Sequence, residues 1–264
     1  MERDAVAAAT ALRTAQRERV ACSPIREGRE LSLDDAYEIQ EHNVALFESA
    51  DNPRVGRKVG LTSAAVQRQL GVDRPDFGVL LADMDITGTA VIAAGRLLQP
   101  RVEAEVAFIL GRDITDAHPD AVSDAVAWVA PALEIVDSRI ADWKISIIDT
   151  VADNASSGLF VLGPERRTLA ELDPQAVAMT MRRNDEQELV SEGSGTDCLG
   201  SPLNALVWVA ETAIRLNRPL RAGEIVLSGA LGPMVAVAPG DSFIATITGL
   251  GTVSVRAATN GESA

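Results

Sequence analysis

Two glutamates two residues apart, Glu103 and Glu105, sit inside the segment QPRVEAEVAFIL (residues 99–110). A β-strand places alternate residues on one face, so these carboxylates stand side by side. Like charges that close repel unless solvent screens them or a cation lies between them. On the glutamate face the next residues are Ala107 and Ile109, and the other face carries Val102, Ala104, Val106 and Phe108. A strand apolar on both faces is the pattern of a buried strand, and buried carboxylates need a compensating charge. Downstream, Glu134 in VAPALEIVDSR alternates with Ala132 and Val136 in the same way. Three such glutamates are one reading, a hard-cation site completed by water or substrate. A solvated strand face is the other.

Two further stretches carry polar groups in settings that admit a ligand. In GRKVGLTS, a strand would put Lys58 on one face with Gly56 and Gly60, leaving room for a ligand to approach the backbone. A surface lysine lying along the sheet is the plainer reading. The cluster DNASSG (153–158) reads first as a turn or helix cap. Only two histidines occur, His42 and His118, each isolated, so neither a histidine zinc site nor a Ser-His-Asp triad has support. Oxygen donors remain, and these suit Mg²⁺ or Mn²⁺.

The chain that must position these groups has 264 residues, 47% of them hydrophobic, and a formal net charge of −14. That charge argues against nucleic acid or an anionic membrane as partner. The apolar runs are too short to cross a bilayer, and the charged start MERDAVAAATALRTAQRERV lacks a secretory apolar core. Two distant cysteines, Cys22 and Cys198, fit a reduced, cytoplasmic protein. The pattern predicts an N-terminal helix over 2–20 and a second helix in LSLDDAYEIQEHNVALFES, with Ser32 as N-cap and Asp35 closing a capping box. A strand over RVGRKVGLT, a short helix over SAAVQRQLG ended by Gly71, and a loop over VDRPDFG follow. Strands are expected near 79–84, 101–110, 131–137, 159–162, 176–183, 225–229, 242–248 and 252–257, with a helix at 202–217 opened by Pro202. The expected class is α+β and β-rich. A helical segment (1–75) packs on a catalytic body (76–264), the two forming one integrated domain. Val226, Ile244, Ile247 and Val253 read as core or subunit packing; Trp128 and Trp143 could shape a pocket, though core or interface aromatics is the plainer reading.

Four blocks together resemble the 2-keto-4-pentenoate hydratase family of the fumarylacetoacetate hydrolase-like superfamily. They are GRKVGLTSAAVQRQLGVDRPDFGVLLADM (56–84), QPRVEAEVAFIL (99–110), PALEIVDSRIADWKISIIDTVADNASSG (131–158) and AGEIVLSGALGPMVAVAPGDSFIATITGLGTVSV (222–255). The resemblance implies a mixed β-sandwich roll, metal ligation by Glu103, Glu105 and Glu134, and site roles for Lys58, Asp76 and Ser156. It implies Mg²⁺ or Mn²⁺ as cofactor and a small anionic 2-hydroxydienoate or 2-oxo acid as substrate. It also implies a homo-oligomer, pentameric or decameric, with a related decarboxylase as a further partner. The implied reaction is hydration of 2-hydroxypenta-2,4-dienoate or a 5-alkyl homologue in meta-cleavage aromatic catabolism. The related decarboxylases tend to read DNAANAG where this chain reads DNASSG, which tilts the reading to hydratase over 4-oxalocrotonate decarboxylase. Acylpyruvate C–C hydrolysis, which engages a His–Glu pair, would fall to His42 and Glu41.

Overall fold

The computed structural model describes residues 1–63, 67, 74–184, 188–259 and 261–262. The expected SAAVQRQLG helix lies, but for Ser63 and Gln67, outside them. Helix α1 (Arg3–Glu18) and helix α2 (Leu33–Phe47) come first, α2 opening with the Ser32–Asp35 capping box. A seven-stranded sheet runs β2 (Asp76–Leu81), β1 (Arg54–Gly60), β9 (Ile225–Ala230), β4 (Arg101–Leu110), β5 (Val126–Val136), β6 (Leu159–Leu162), and β10 (Val235–Ala236) pairs with β4. Within it β1 and β9 run parallel, and the other pairs are antiparallel. Strand β1, from the segment before residue 75, thus sits inside the sheet that carries the rest of the site.

The second sheet has the order β3 (Val91–Ile92), β12 (Gly251–Ala257), β11 (Ser242–Ile247), β7 (Ala178–Arg183), β8 (Glu188–Ser194). Its β11–β12 pair is the expected hairpin. The two sheets close on one core. Val102, Ala104, Val106 and Phe108 of β4 meet Met179 and Met181 of β7, Phe243 of β11, and Val253 and Val255 of β12. Burying each such side chain contributes about 1.5–3 kcal/mol. Helix α5 (Pro202–Arg215) adds Leu206 and Val209 to the same core, its start capped by Ser201. Val226 and Ile247 are buried there too, whereas Ile244 is out of phase and only half-buried. A separate cluster, with Ala8, Leu12, Ile39 and Val151, packs α1 and α2 onto the short helix α4 (Ile147–Ala152).

Three expectations differ from the fold. The loop expected over VDRPDFG gives way at Asp76, where β2 begins in register with Gly60 of β1, and the strand ends at Leu81 in a 3₁₀ turn. Strand β5 begins at Val126, five residues before the expected start, and runs through Pro131. The Pro131 carbonyl accepts from Gly163 N–H at 2.8 Å, beyond the end of β6. The side of Pro131 without an N–H faces that same free margin, so the ladder to β4 is unbroken. Strand β8, ELVSEGS, and helix α3 (Pro119–Ala125), which His118 caps, were not expected.

Candidate metal centre and active site

Strand periodicity places Glu103 and Glu105 on one face of β4, and antiparallel pairing sets Glu134 of β5 directly opposite Glu103. One oxygen from each of the three lies within 4.8 Å of the others. Glu105 and Glu134 are fully buried and Glu103 is half-buried. The Gly229 N–H, from β9, donates to Glu105 Oε2 at 2.8 Å. Glu105 Oε1 and Glu134 Oε2 accept no hydrogen bond from any described residue. Buried carboxylate oxygens without donors are costly, and a cation held among them would offset that cost.

Lys58 reaches the cluster from β1, with Nζ 3.1 Å from Glu134 Oε1. It is 3% exposed, which excludes the reading of a surface lysine. Burial alone would lower its pKa, but Glu134, Asp76, Glu103 and Glu105 outweigh it and hold the ammonium charged. One ammonium cannot neutralise three carboxylates. Burial, reinforced by Glu134, pushes Glu103 up to about 7. Burial and its two neighbours push Glu105 far above the usual carboxylate range, and burial raises Glu134 despite Lys58. A divalent cation bound by this all-oxygen donor set would reverse those shifts, and the residues present fit Mg²⁺ or Mn²⁺.

Asp76 lies beside the cluster, 1% exposed, its pKa raised by burial. Its Oδ2 accepts from Thr150 Oγ1 at 3.1 Å, and Thr150 Oγ1 lies 3.3 Å from Ser156 Oγ. Asp76 Oδ1 has no hydrogen-bond partner among the described residues. Gly60 makes the arrangement possible, since a Cβ there would fall 2.3 Å from Asp76 Oδ1. Ser156 ends a turn of three left-handed residues, Asn154, Ala155 and Ser156. Asn154 pins that turn to β2 by bonds to Val79 N and O at 2.8 and 2.9 Å, and Arg139 pins its start through Asp153 Oδ1. Gly78 lets the turn approach, because a Cβ at that position would lie 2.4 Å from Asn154 O.

Lys58, Asp76, Glu103 and Ser156 line one cavity of about 260 Å³, with Thr150, Arg101 and Trp143 on its walls. The structure therefore brings the six sequence-derived candidates to one place. A profile of the fumarylacetoacetate (FAA) hydrolase C-terminal family matches residues 57–257. The 2-keto-4-pentenoate hydratase 1 of Dechloromonas aromatica is 53% identical over 252 residues, covering 94% of this chain and 95% of that protein.

The chain belongs to the 2-keto-4-pentenoate hydratase family.

Another member, the 2-hydroxyhexa-2,4-dienoate hydratase of Comamonas testosteroni, is 43% identical, covering 86% of this chain and 87% of its own length. Among solved structures, the 4-oxalocrotonate decarboxylase of Pseudomonas putida G7, complexed with magnesium and adipate, superposes with a TM-score of 0.90 at 30% identity over 97% of this chain and 98% of its own. Family membership and that superposition establish the mixed sandwich fold that the sequence resemblance implies. Glu41 is instead taken up by Arg54 and Arg218 on the surface, and neither it nor His42 lines the carboxylate cavity. Trp143, expected in the core or an interface, is a cavity wall. Thr150, Arg101 and the Gly229 N–H escaped the sequence reading. Arg101 was within reach of it, two residues before Glu103 on the same strand face.

Proposed function

We propose that this chain is a divalent-metal-dependent hydro-lyase that adds water to 2-hydroxypenta-2,4-dienoate or a short 5-alkyl homologue, giving a 4-hydroxy-2-oxoalkanoate. The observation that carries the reading is the buried cluster of Glu103, Glu105 and Glu134 with donor-free oxygens, in a chain about half identical to named hydratases. Glu103, Glu105 and Glu134 would hold Mg²⁺ or Mn²⁺, which when bound supplies Lewis-acid polarisation of the substrate's oxygens.

The chain's own groups then manage protons. The substrate's C2 hydroxyl must lose a proton and C5 gain one, leaving a 2-oxo-3-enoate. Water next adds its oxygen at C4, and C3 takes a proton, so one water is consumed and the proton count balances. Asp76, its pKa raised by burial and its Oδ1 without a hydrogen-bond partner among the described residues, is suited to take and return protons. Thr150 and Ser156 hold its other oxygen and give an adjacent hydroxyl to orient water. Lys58 fixes Glu134 and offsets negative charge where an anionic substrate must enter. The reading includes a soluble, cytoplasmic homo-oligomer, pentamer or decamer, working beside a related decarboxylase in meta-cleavage catabolism.

A second reading, decarboxylation of 4-oxalocrotonate, draws on the likeness to the Pseudomonas putida decarboxylase. Supplying each substrate with Mg²⁺ or Mn²⁺ separates the two. Hydration consumes the dienoate absorbance without CO₂, and decarboxylation releases CO₂. Glu105→Gln is expected to abolish metal-dependent turnover while the protein stays folded. Full wild-type turnover in excess chelator would end the metal reading.

A further inference from the structure

Arg101 opens β4 on the face that carries Glu103 and Glu105, and its side chain lines the same cavity. Its guanidinium lies 4.7 Å from the centroid of the Trp143 ring, and Nη1 lies 3.8 Å from Met234 Sδ. No carboxylate among the described residues forms an ion pair with it. The other cation on the cavity wall, Lys58, is committed to Glu134. Among the described residues, a cavity walled by Asp76, Glu103 and Asp142 thus holds one guanidinium, whose neighbours are an aromatic face and a thioether.

The fixture around Arg101 is built rather than incidental. Trp143 Nε1 donates to Gln99 O at 3.2 Å, and Gln99 Oε1 accepts from the Asp142 N–H at 2.9 Å. Asp142 and Trp143 both adopt left-handed backbone, φ 59° and 55°. Such conformations are strained for non-glycine residues and persist only where the surroundings hold them. Stacking covers the flat face of a guanidinium and leaves its N–H edge free. That edge matches a carboxylate with two parallel hydrogen bonds.

We infer that Arg101, held against the Trp143 ring, is the residue that recognises the C1 carboxylate of the substrate. The inference rests on the reading of a 2-hydroxydienoate anion as substrate. Two strand residues, about 7 Å, separate Arg101 from Glu103 along β4. A carboxylate at Arg101 leaves the C2 oxygen and the diene pointing inward, toward Glu103, Lys58 and Asp76. The acidic protein therefore admits an anion through one cation that the metal cluster does not use.

The test compares wild type with Arg101→Gln, Arg101→Lys and Trp143→Leu. Its readouts are KM and kcat for the dienoate, Mn²⁺ binding, and calorimetric binding of 2-oxopentanoate, its carboxamide and 2-oxoadipate. Arg101→Gln should weaken 2-oxopentanoate binding and raise KM by about 10- to 100-fold, the worth of a charge-assisted pair. Mn²⁺ affinity should stay unchanged and the preference for carboxylate over carboxamide should collapse. Arg101→Lys should recover part of the loss, and Trp143→Leu should cost about 3- to 10-fold. Unchanged 2-oxopentanoate binding in Arg101→Gln overturns the inference, as does a loss confined to 2-oxoadipate, which would put Arg101 at the far end of the ligand. If Arg101→Gln does not fold, Arg101→Lys and the wild-type carboxamide comparison decide. A wild type that binds 2-oxopentanoate through Arg101 yet leaves the dienoate unhydrated refutes the hydratase reading alone. Hydration unaffected by Arg101→Gln refutes only the inference.

Discussion

Replacing Lys58 by Met keeps most of the apolar stem and removes the one ammonium paired with the carboxylate cluster. At the observed 3.1 Å from Glu134 Oε1, the attraction lost is about 5 kcal/mol at an effective dielectric of about 20. The protein need not bear all of it, since Glu134 can take up a proton instead. For a carboxyl with an ordinary pKa of 4.5, that uptake costs about 3.4 kcal/mol at pH 7. Proton uptake is the smaller number, so it sets the penalty. The sign follows from linkage. In the variant the folded pKa of Glu134 lies above its unfolded value, so its contribution is fully present below pH 4.5 and lost as pH rises. Because burial already raises Glu134 in the wild type, the Lys58→Met penalty should be at most about 3 kcal/mol at pH 7 and should shrink as pH falls toward 5. Urea unfolding in chelator at pH 5, 6 and 7, at fixed protomer concentration, measures it. Saturating Mg²⁺ should return much of the loss, since a divalent cation supplies the missing charge. A penalty independent of pH, or one near zero at pH 7, would refute the account of Lys58 as the cluster's internal counter-charge.

Thr150→Val removes the hydroxyl between Asp76 and Ser156 and should lower kcat by about 10- to 100-fold, with Mn²⁺ binding intact by calorimetry. Gly60→Ala places a methyl where Asp76 Oδ1 now lies, 2.3 Å away. It should displace that carboxylate and cut turnover, with little change in the urea midpoint. Asp153 is pushed up to about 6 by burial despite Arg139. Its stabilising contribution is full below its ordinary 3.8 and lost as pH rises through about 6, about 3 kcal/mol in all. Asp153→Asn should flatten the fall in stability between pH 4 and 6 relative to wild type, read from urea midpoints.

What could be read from the sequence follows periodicity. The E-x-E strand was expected over 101–110 and occupies Arg101–Leu110, because period-2 alternation with apolar residues on both faces admits few other folds. The Ser32–Asp35 box likewise names its own helix start. Pairings between distant strands were not legible. Nothing local in GRKVG says that β1 runs parallel to β9 and antiparallel to β2, yet that placement carries Lys58 to Glu134. The resemblance to a family, not spacing, joined those residues beforehand. Thr150 was invisible for the same reason, being an ordinary residue in ISIIDTVA until α4 sets it against Asp76. Strand β8 has no clear alternation in ELVSEGS because it is a sheet edge with solvent on most of its positions.

One face of β4 accounts for much of the site's logic. Arg101, Glu103 and Glu105 follow one another at alternate positions, passing from half-buried to fully buried. Along that line the charge changes from positive to negative, while the opposite face is fixed in the core by Val102, Ala104 and Val106. A one-residue slip of β4 would exchange the two faces, sending three charges into the sandwich and three aliphatic groups into the cavity. Register and chemistry are thus specified together, and the same alternation that anchors the core orders an anion's path from Arg101 inward. Cross-strand pairing completes the gradient at its deep end. Glu134 stands opposite Glu103, the Gly229 N–H meets Glu105, and Lys58 closes on Glu134. Positive charge therefore stands at both ends of the acidic cluster, one cation committed to a glutamate and the other left for the substrate. A monoanion entering such a gradient is drawn past Arg101 only as far as its carboxylate allows, which orients the diene before any chemistry begins.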